Sequence, residues 1–219
     1  MSFTYAIGDI HGCLDKLRSL LLRCEMHADG RPMSFVFVGD YIDRGPQSCA
    51  VVDCLIDLKA RHGDGVVTLM GNHEAMALAA VDGRSPTRLW FAQGGLATLK
   101  SYGVAEPSEL PGAHVDWLRA LPLSHDDGRR FFVHAGVNPG MPLEEQANTD
   151  LLWIREPFLS HQGDYGRLIV HGHTPVIDGV PDLRSNRLNL DTGAVFGGPL
   201  TAAVFDAAQT EPVGFLQAE

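Results

Sequence analysis

What most constrains this chain is a unit that its first half uses three times: a short apolar run, a polar loop with glycine beside Asp, His or Asn, then a segment with helical apolar spacing. Phe3 to Ile7 runs into Gly8-Asp9-Ile10-His11-Gly12, after which Leu14, Leu17, Leu21 and Cys24 share one helical face. Phe35 to Val38 runs into Gly39-Asp40-Tyr41-Ile42-Asp43-Arg44-Gly45, and a helix is predicted from about Pro46 to Arg61, with proline where a first turn tolerates it. Val66 to Met70 runs into Gly71-Asn72-His73-Glu74, with a third helix predicted over Ala75 to Ala80. This alternation is an α/β signature.

The second half is richer in strands. Between Asp82 and Leu121 the pattern loosens into what reads as a small cap of short helices around Trp90, Gly94-Gly95 and Trp117, to which no chemistry is assigned. Leu121 to Ser124 and Arg130 to Val133 read as strands about the turn-prone Asp126-Asp127-Gly128, and the second delivers His134-Ala135-Gly136. Arg167 to Val170 delivers His171-Gly172-His173-Thr174-Pro175, and strands are predicted at Arg187 to Leu190, Leu200 to Phe205 and Val213 to Leu216. Strands alternating with helices first and standing mostly alone later predict an α/β sandwich of two mixed sheets, packed face to face and flanked by helices. No domain boundary is visible, so residues 1–219 are expected to form one domain.

Charge and cysteine usage narrow the function classes. A formal charge of -10 argues against binding a nucleic-acid backbone, which draws affinity from a basic face. The four cysteines, Cys13, Cys24, Cys49 and Cys54, form no CxxC pair and read as small apolar residues on inner helix faces. No secretory signal precedes the first apolar run, and none approaches the roughly 20 residues that span a bilayer. The expectation is a soluble cytoplasmic protein with no membrane partner; nothing in the sequence sets its oligomeric state.

Five loops deliver Asp, His or Asn beside glycine: Asp9 and His11, Asp40 and Asp43, Asn72 and His73, His134, and His171 with His173. One such loop would mean only a capped turn. Five together point to a site, because ligands in open α/β sheets bind beyond the carboxyl ends of the strands, where distant loops converge. Asp9 and His11 are two apart, so in extended chain they leave on the same side and can grip one ion. Oxygen and imidazole donors without thiolate suit manganese, iron or zinc, whereas calcium takes more oxygens. His171 and His173 share the same spacing and compete for one position.

The blocks Gly8 to Gly12, Gly39 to Gly45 and Gly71 to Glu74 resemble, in order and spacing, the signature blocks of phosphoprotein phosphatases in the calcineurin-like metallophosphoesterase superfamily. Leu152-Trp153-Ile154-Arg155-Glu156, Gly172-His173-Thr174-Pro175 and Asp191-Thr192-Gly193-Ala194-Val195-Phe196 are similar to the bacteriophage-lambda-type serine/threonine protein phosphatase branch. The resemblance covers about Phe3 to Phe205. It implies the metallophosphoesterase sandwich with a metal site at strand carboxyl ends. It implies two divalent ions, manganese before iron or zinc, with Asp9, His11 and Asp40 on the first and Asp40, Asn72, His134 and His173 on the second.

The same resemblance makes His73 the proton donor to the leaving group and Asp43 its partner, and puts Arg44 and Arg155 on the phosphoryl oxygens, with Asn72 and His73 also facing substrate. The implied reaction is hydrolysis of phosphomonoesters by a hydroxide held between the ions, the substrate being a phosphorylated protein or a small phosphate ester, with serine and threonine favoured and tyrosine allowed. A physical argument runs beside it: an alkoxide leaving group needs a proton, and phosphoryl charge needs fork-shaped donors. The alternative is a dinucleoside polyphosphate hydrolase of the diadenosine tetraphosphate type, whose third block more often ends in Asp than in Glu74. A metal-binding module without catalysis should lack a ligand or the acid, and here every such position is filled.

Overall fold

A computed structural model describes residues 2–219. Its elements follow the apolar periodicity of the chain. The first half contributes β1 (Phe3–Ile7), α1 (Leu14–Ala28), β2 (Met33–Phe37), α2 (Ser48–His62), β3 (Val66–Thr68) and α3 (Asn72–Val81). A cap of short helices follows: α4 (Thr87–Phe91), α5 (Gly95–Tyr102) and α6 (Gly112–Arg119). Then come β4 (Ser124–Asp126), β5 (Arg130–Val133), α7 (Asn148–Trp153), β6 (Leu168–His171), β7 (Asp182–Leu183), β8 (Arg187–Asn189), β9 (Leu200–Asp206) and β10 (Gly214–Ala218).

The strands form two mixed sheets of five, ordered β10-β9-β1-β2-β3 and β4-β5-β6-β8-β7. In the first, β1, β2 and β3 are parallel, with β9 antiparallel to β1 and to β10. In the second, β5, β6 and β8 are parallel and both edge strands are antiparallel. Successive side chains of a strand face opposite ways, and that period divides the core. Ala6, Val36, Ala203 and Phe205 of the first sheet meet Phe132, Leu168, Val170 and Leu188 of the second in an inter-sheet layer. Their neighbours Tyr5, Ile7, Phe35, Phe37 and Val204 face outward, under Leu17, Leu20 and Leu21 of α1 and Val51, Val52 and Leu55 of α2. On the far side of the second sheet, Phe131, Val133 and Ile169 pack on Leu151, Ile154 and Phe158. The expected two-sheet sandwich flanked by helices is the fold observed.

Four elements differ from the sequence expectation. The strand expected over Leu121 to Ser124 lies at Ser124–Asp126, because the Leu121 N–H still donates to Leu118 O at the end of α6 and pairing with β5 begins at Ser124 opposite Val133. Helix α2 starts at Ser48 rather than Pro46, because the Gln47 N–H donates to Gly12 O at 3.1 Å and ties the second loop to the first. Helix α3 starts three residues early, at Asn72, because Glu74 reaches back to accept the Gly71 N–H at 2.9 Å. Asn72 and His73 therefore stand in the first turn of a helix, not at a strand end. Strand β7, only two residues long, had no visible signal. All four cysteines are free and Cys24 is buried on the core face of α1. Among the described residues no helix is long and apolar enough to cross a membrane.

Candidate metal centre

The parallel strands β1, β2 and β3 end at one edge, and β5 and β6 end beside them on the facing sheet. The loops at these ends are tied together by main-chain bonds. Ile10 and His11 donate to Asp40 O at 3.0 and 2.8 Å, and Gly172 donates to His134 O at 2.8 Å. Such tight crossings need unusual backbone. Among the described residues six non-glycines have left-handed φ, and five of them are His11 (46°), Asp40 (54°), Asp43 (71°), Arg44 (67°) and His173 (66°). That conformation is costly for a residue with a Cβ and gathers where surrounding structure enforces it. At Gly71 and Gly172 it is contact rather than φ that requires glycine: a Cβ at Gly71 would overlap Asp40 Oδ1, and one at Gly172 would overlap Asp9 Oδ1.

The structure buries all six expected ligands where these loops meet, with Asp9 in neither of the two donor clusters. Asp9, His11, Asp40, Asn72, His134 and His173 are each at most 8% exposed. Two clusters share Asp40, one with His11 and His73 and one with His134 and His173, each with its donor atoms within 4.8 Å of one another. His11 Nδ1 donates to Ile42 O at 2.8 Å and His134 Nδ1 to Val38 O at 2.9 Å. A carbonyl can only accept, so both rings present an unprotonated Nε2 to the crevice. His11 Nε2 lies 3.5 Å from Asp40 Oδ2, and His134 Nε2 lies 3.4 Å from Asp40 Oδ1. Asp9 lies against the main chain of His173, whose N–H donates to its carboxylate at 3.1 Å.

The donor set fits a pair of divalent cations. His134 Nε2 and Asn72 Oδ1, both lone-pair bearers, face each other at 2.8 Å, and His173 Nδ1 is 2.9 Å from the same oxygen. Lone pairs converging in a buried space are stabilised by a positive charge among them. The carboxylates agree. Burial, then Asp191 and Asp40, push Asp9 well above the usual range, whereas Asp40, despite its own burial, is held well below it by His134, His73 and His11.

The imidazoles divide into two kinds. Burial pushes His11 and His173 down to about 3 and lowers His134, so all three are neutral and available as ligands near pH 7. His73 goes the other way: burial lowers it, but Asp40 and a hydrogen bond to Asp43 outweigh that and raise it. Its Nδ1 donates to Asp43 Oδ2 at 2.7 Å, and its Nε2 is 3.9 Å from Asp40 Oδ2. Proximity alone would admit His73 as a ligand; its paired Nδ1 and raised pKa suit a proton carrier instead.

The two expected arginines are exposed at the crevice mouth. Arg44 Nη1 donates to His11 Nε2 at 2.6 Å, and its guanidinium lies 5.4 Å from the ring centre of Phe196. In this arrangement Arg44 covers the lone pair that His11 would offer an ion. Arg155 stands near enough to lower His173, beside Trp153, whose ring is 6.1 Å from that of His173. His171, the rival of His173, points to the opposite face of β6, fully buried 4.9 Å from the Phe158 ring. The strand period puts it there, and it fills the outer core.

Four residues do more here than the sequence showed. Glu74 accepts N–H groups of Asp40 (2.9 Å), Tyr41 (2.8 Å), Ile42 (3.3 Å) and Gly71 (2.9 Å), so it shapes the Asp40 loop as well as starting α3. Asp191, 4% exposed and pushed up to about 6 by burial and then by Asp40, adds a carboxyl beside Asp9; its sequence signal was an Asp at the end of an apolar run, two residues before Gly193. Trp90 and Thr98 correct the expectation of a cap without chemistry. Trp90 Nε1 donates to Asp43 Oδ2 at 2.7 Å and Thr98 Oγ1 to Asp43 Oδ1 at 2.6 Å. No local pattern marks them, since they reach Asp43 across 47 and 55 residues of chain.

A two-sheet sandwich with overlapping Asp and His clusters at its strand ends defines a metallophosphoesterase. The profile of the calcineurin-like phosphoesterase family matches residues 4–201, and the chain belongs to that family, which works with a pair of divalent metal ions. An asymmetrical bis(5'-nucleosyl)-tetraphosphatase, PrpE, of Anoxybacillus flavithermus is 30% identical over 94% of this chain and 92% of its own length. Serine/threonine-protein phosphatase 1 of Salmonella typhimurium is 33% identical over 91% of this chain and 90% of its own length. The crystal structure of a candidate diadenosine tetraphosphatase superposes with a TM-score of 0.73 at 24% identity, covering 99% of this chain and 94% of that one, a likeness of fold.

Proposed function

We propose that this protein is a metal-dependent phosphomonoesterase of the lambda-type protein phosphatase branch, acting on phosphoserine and phosphothreonine with phosphotyrosine within its range. The observation that carries this reading is the His73–Asp43 pair, 2.7 Å apart and buried beside Asp40. A seryl or threonyl alkoxide is a poor leaving group and needs a proton; a polyphosphate leaving group needs one far less. The Salmonella relative and the Leu152 to Glu156 block support the same branch.

In this reading Asp9, His11 and Asp40 hold one ion and Asp40, Asn72, His134 and His173 the other, with manganese the expected metal and iron or zinc compatible with the donors. When bound, such ions offset phosphoryl charge and bring the pKa of a water toward about 7. The chain's own residues do the rest. Glu74 and the bonds to Asp40 O keep the ligand loop in shape. Asp43 holds the His73 Nδ1–H, which aims Nε2 and its proton at the leaving oxygen. Arg44 and Arg155, exposed and able to turn, take the remaining phosphoryl oxygens as fork-shaped donors. A phosphorylated protein or small phosphate ester is the expected partner.

A second reading, cleavage of dinucleoside polyphosphates, is favoured by the Anoxybacillus relative. A panel on manganese-loaded protein separates the two. It compares kcat/KM for phosphoserine, phosphothreonine and phosphotyrosine peptides with that for diadenosine tetraphosphate. The proposal expects the peptides to lead; a tetraphosphate preferred by tenfold or more would replace it with the second reading.

A further inference from the structure

Asp43 is a buried carboxylate at a left-handed residue, and each polar side chain that reaches its carboxylate oxygens donates. Its own N–H is taken by Thr98 Oγ1 at 2.9 Å and Ser48 Oγ at 3.1 Å. Its Oδ1 accepts from the Thr98 hydroxyl, and its Oδ2 accepts from both the Trp90 indole N–H and His73 Nδ1. Trp90 and Thr98 are each 1% exposed. An indole nitrogen has no acceptor capacity, so this N–H has one orientation in which it is satisfied. The segment between them is shaped for close approach. Gly94, at φ 106°, accepts the Arg44 N–H at 3.2 Å, and a Cβ at Gly95 would run into the Trp90 indole.

We infer that Trp90 and Thr98 are positioning residues of the reaction: the cap segment from α4 to α5 clasps Asp43 so that His73 is aimed at the leaving oxygen. If the cap served packing alone, Phe and Val would fill the same space without their donors. Three donors in fixed directions leave the carboxylate one rotamer, and that rotamer sets the plane and tautomer of His73. The inference rests on the assignment of His73 as the acid, made above.

The test uses the manganese-loaded 219-residue chain and two substrates, a phosphoserine peptide, whose alkoxide must be protonated, and p-nitrophenyl phosphate, whose leaving group departs without a proton. Thr98→Val and Trp90→Phe should each lower kcat/KM on the peptide by roughly ten- to a hundredfold, the scale of a lost hydrogen bond to a charged group, and lower it clearly less on the aryl phosphate. Thr98→Ser, which keeps the hydroxyl, should restore the wild-type ratio of the two substrates. His73→Asn is run alongside as the reference for lost protonation. If His73→Asn shows the differential but Thr98→Val and Trp90→Phe slow both substrates equally, the two residues are structural and the inference falls while the acid assignment stands. If His73→Asn shows no differential, both fall together. Manganese content, by elemental analysis, should stay at the wild-type level in all four variants, and loss of an ion from Thr98→Val would overturn the clasp.

Discussion

Arg44→Ala should tighten metal binding at the first site while slowing turnover, and the two effects have one structural cause. His11 Nδ1 is committed to Ile42 O at 2.8 Å, so Nε2 is the ring's free lone pair, and Arg44 Nη1 donates to it at 2.6 Å. An ion that takes His11 must break this bond and stand beside a guanidinium. A hydrogen bond to a charged group contributes about 1.5–3 kcal/mol, and because the guanidinium is exposed, water softens its loss to about 1–2 kcal/mol. At 1.4 kcal/mol per tenfold, removing that competition should lower the manganese Kd roughly five- to thirtyfold. The assay is calorimetric titration of chelator-stripped protein with manganese in a His173→Ala background, which weakens the second site and isolates the first. With both sites intact, Arg44→Ala should lower kcat/KM, since the phosphoryl clamp is gone. A Kd in Arg44→Ala unchanged within about twofold, or weaker, would refute the argument that Arg44 and the ion compete for His11.

Three further outcomes follow from the same geometry. Asp40→Asn should lose both ions by elemental analysis, because Asp40 belongs to both clusters, whereas Asp9→Asn should lose one; equal losses would sink the bridging assignment. Stripping the metals should abolish phosphatase activity and manganese should restore it, and full turnover by verified metal-free protein would remove the ions from the reaction. His171 offers a pH test at a ring that faces away from the crevice. Burial pushes it down to about 3, below its ordinary value of about 6.5, so as pH falls below 6.5 the unfolded chain takes up a proton that the folded protein refuses. Stability is lost through that window, and His171→Leu lacks this contribution. In urea titrations of metal-free protein, the stability of the variant relative to wild type should therefore rise from pH 7 to pH 5, and a constant difference would mean that His171 does not titrate as a buried neutral ring.

Most of the strand and helix order was legible in the chain because burial in a sandwich imposes periods that side chains record: two in Tyr5, Ala6 and Ile7, and 3.6 in Leu14, Leu17, Leu21 and Cys24. The two misplaced helix starts have a common physical origin. Pro46 and Asn72 sit where an intrinsic preference for starting or not starting a helix competes with a long-range bond, Gln47 to Gly12 in one case and the reach of Glu74 in the other, and the bond prevails.

The candidate ligands could be picked out because their signal is local: Asp9, His11, Asp40, Asn72, His134 and His173 each stand beside or close to a glycine at the end of an apolar run, the chemistry that a crowded crossing of loops demands. What sequence alone determined was thus the alternating elements and a set of donors at strand ends. The tertiary structure decided what depends on distance and direction. It turned His171 to the far face of β6 and His173 to the crevice, gave His73 a carboxylate that outweighs its burial, and laid Arg44 across His11. It also brought Trp90 and Thr98 from a stretch without visible pattern onto Asp43, since a hydrogen bond spanning 47 or 55 residues leaves no periodic trace in the chain that makes it.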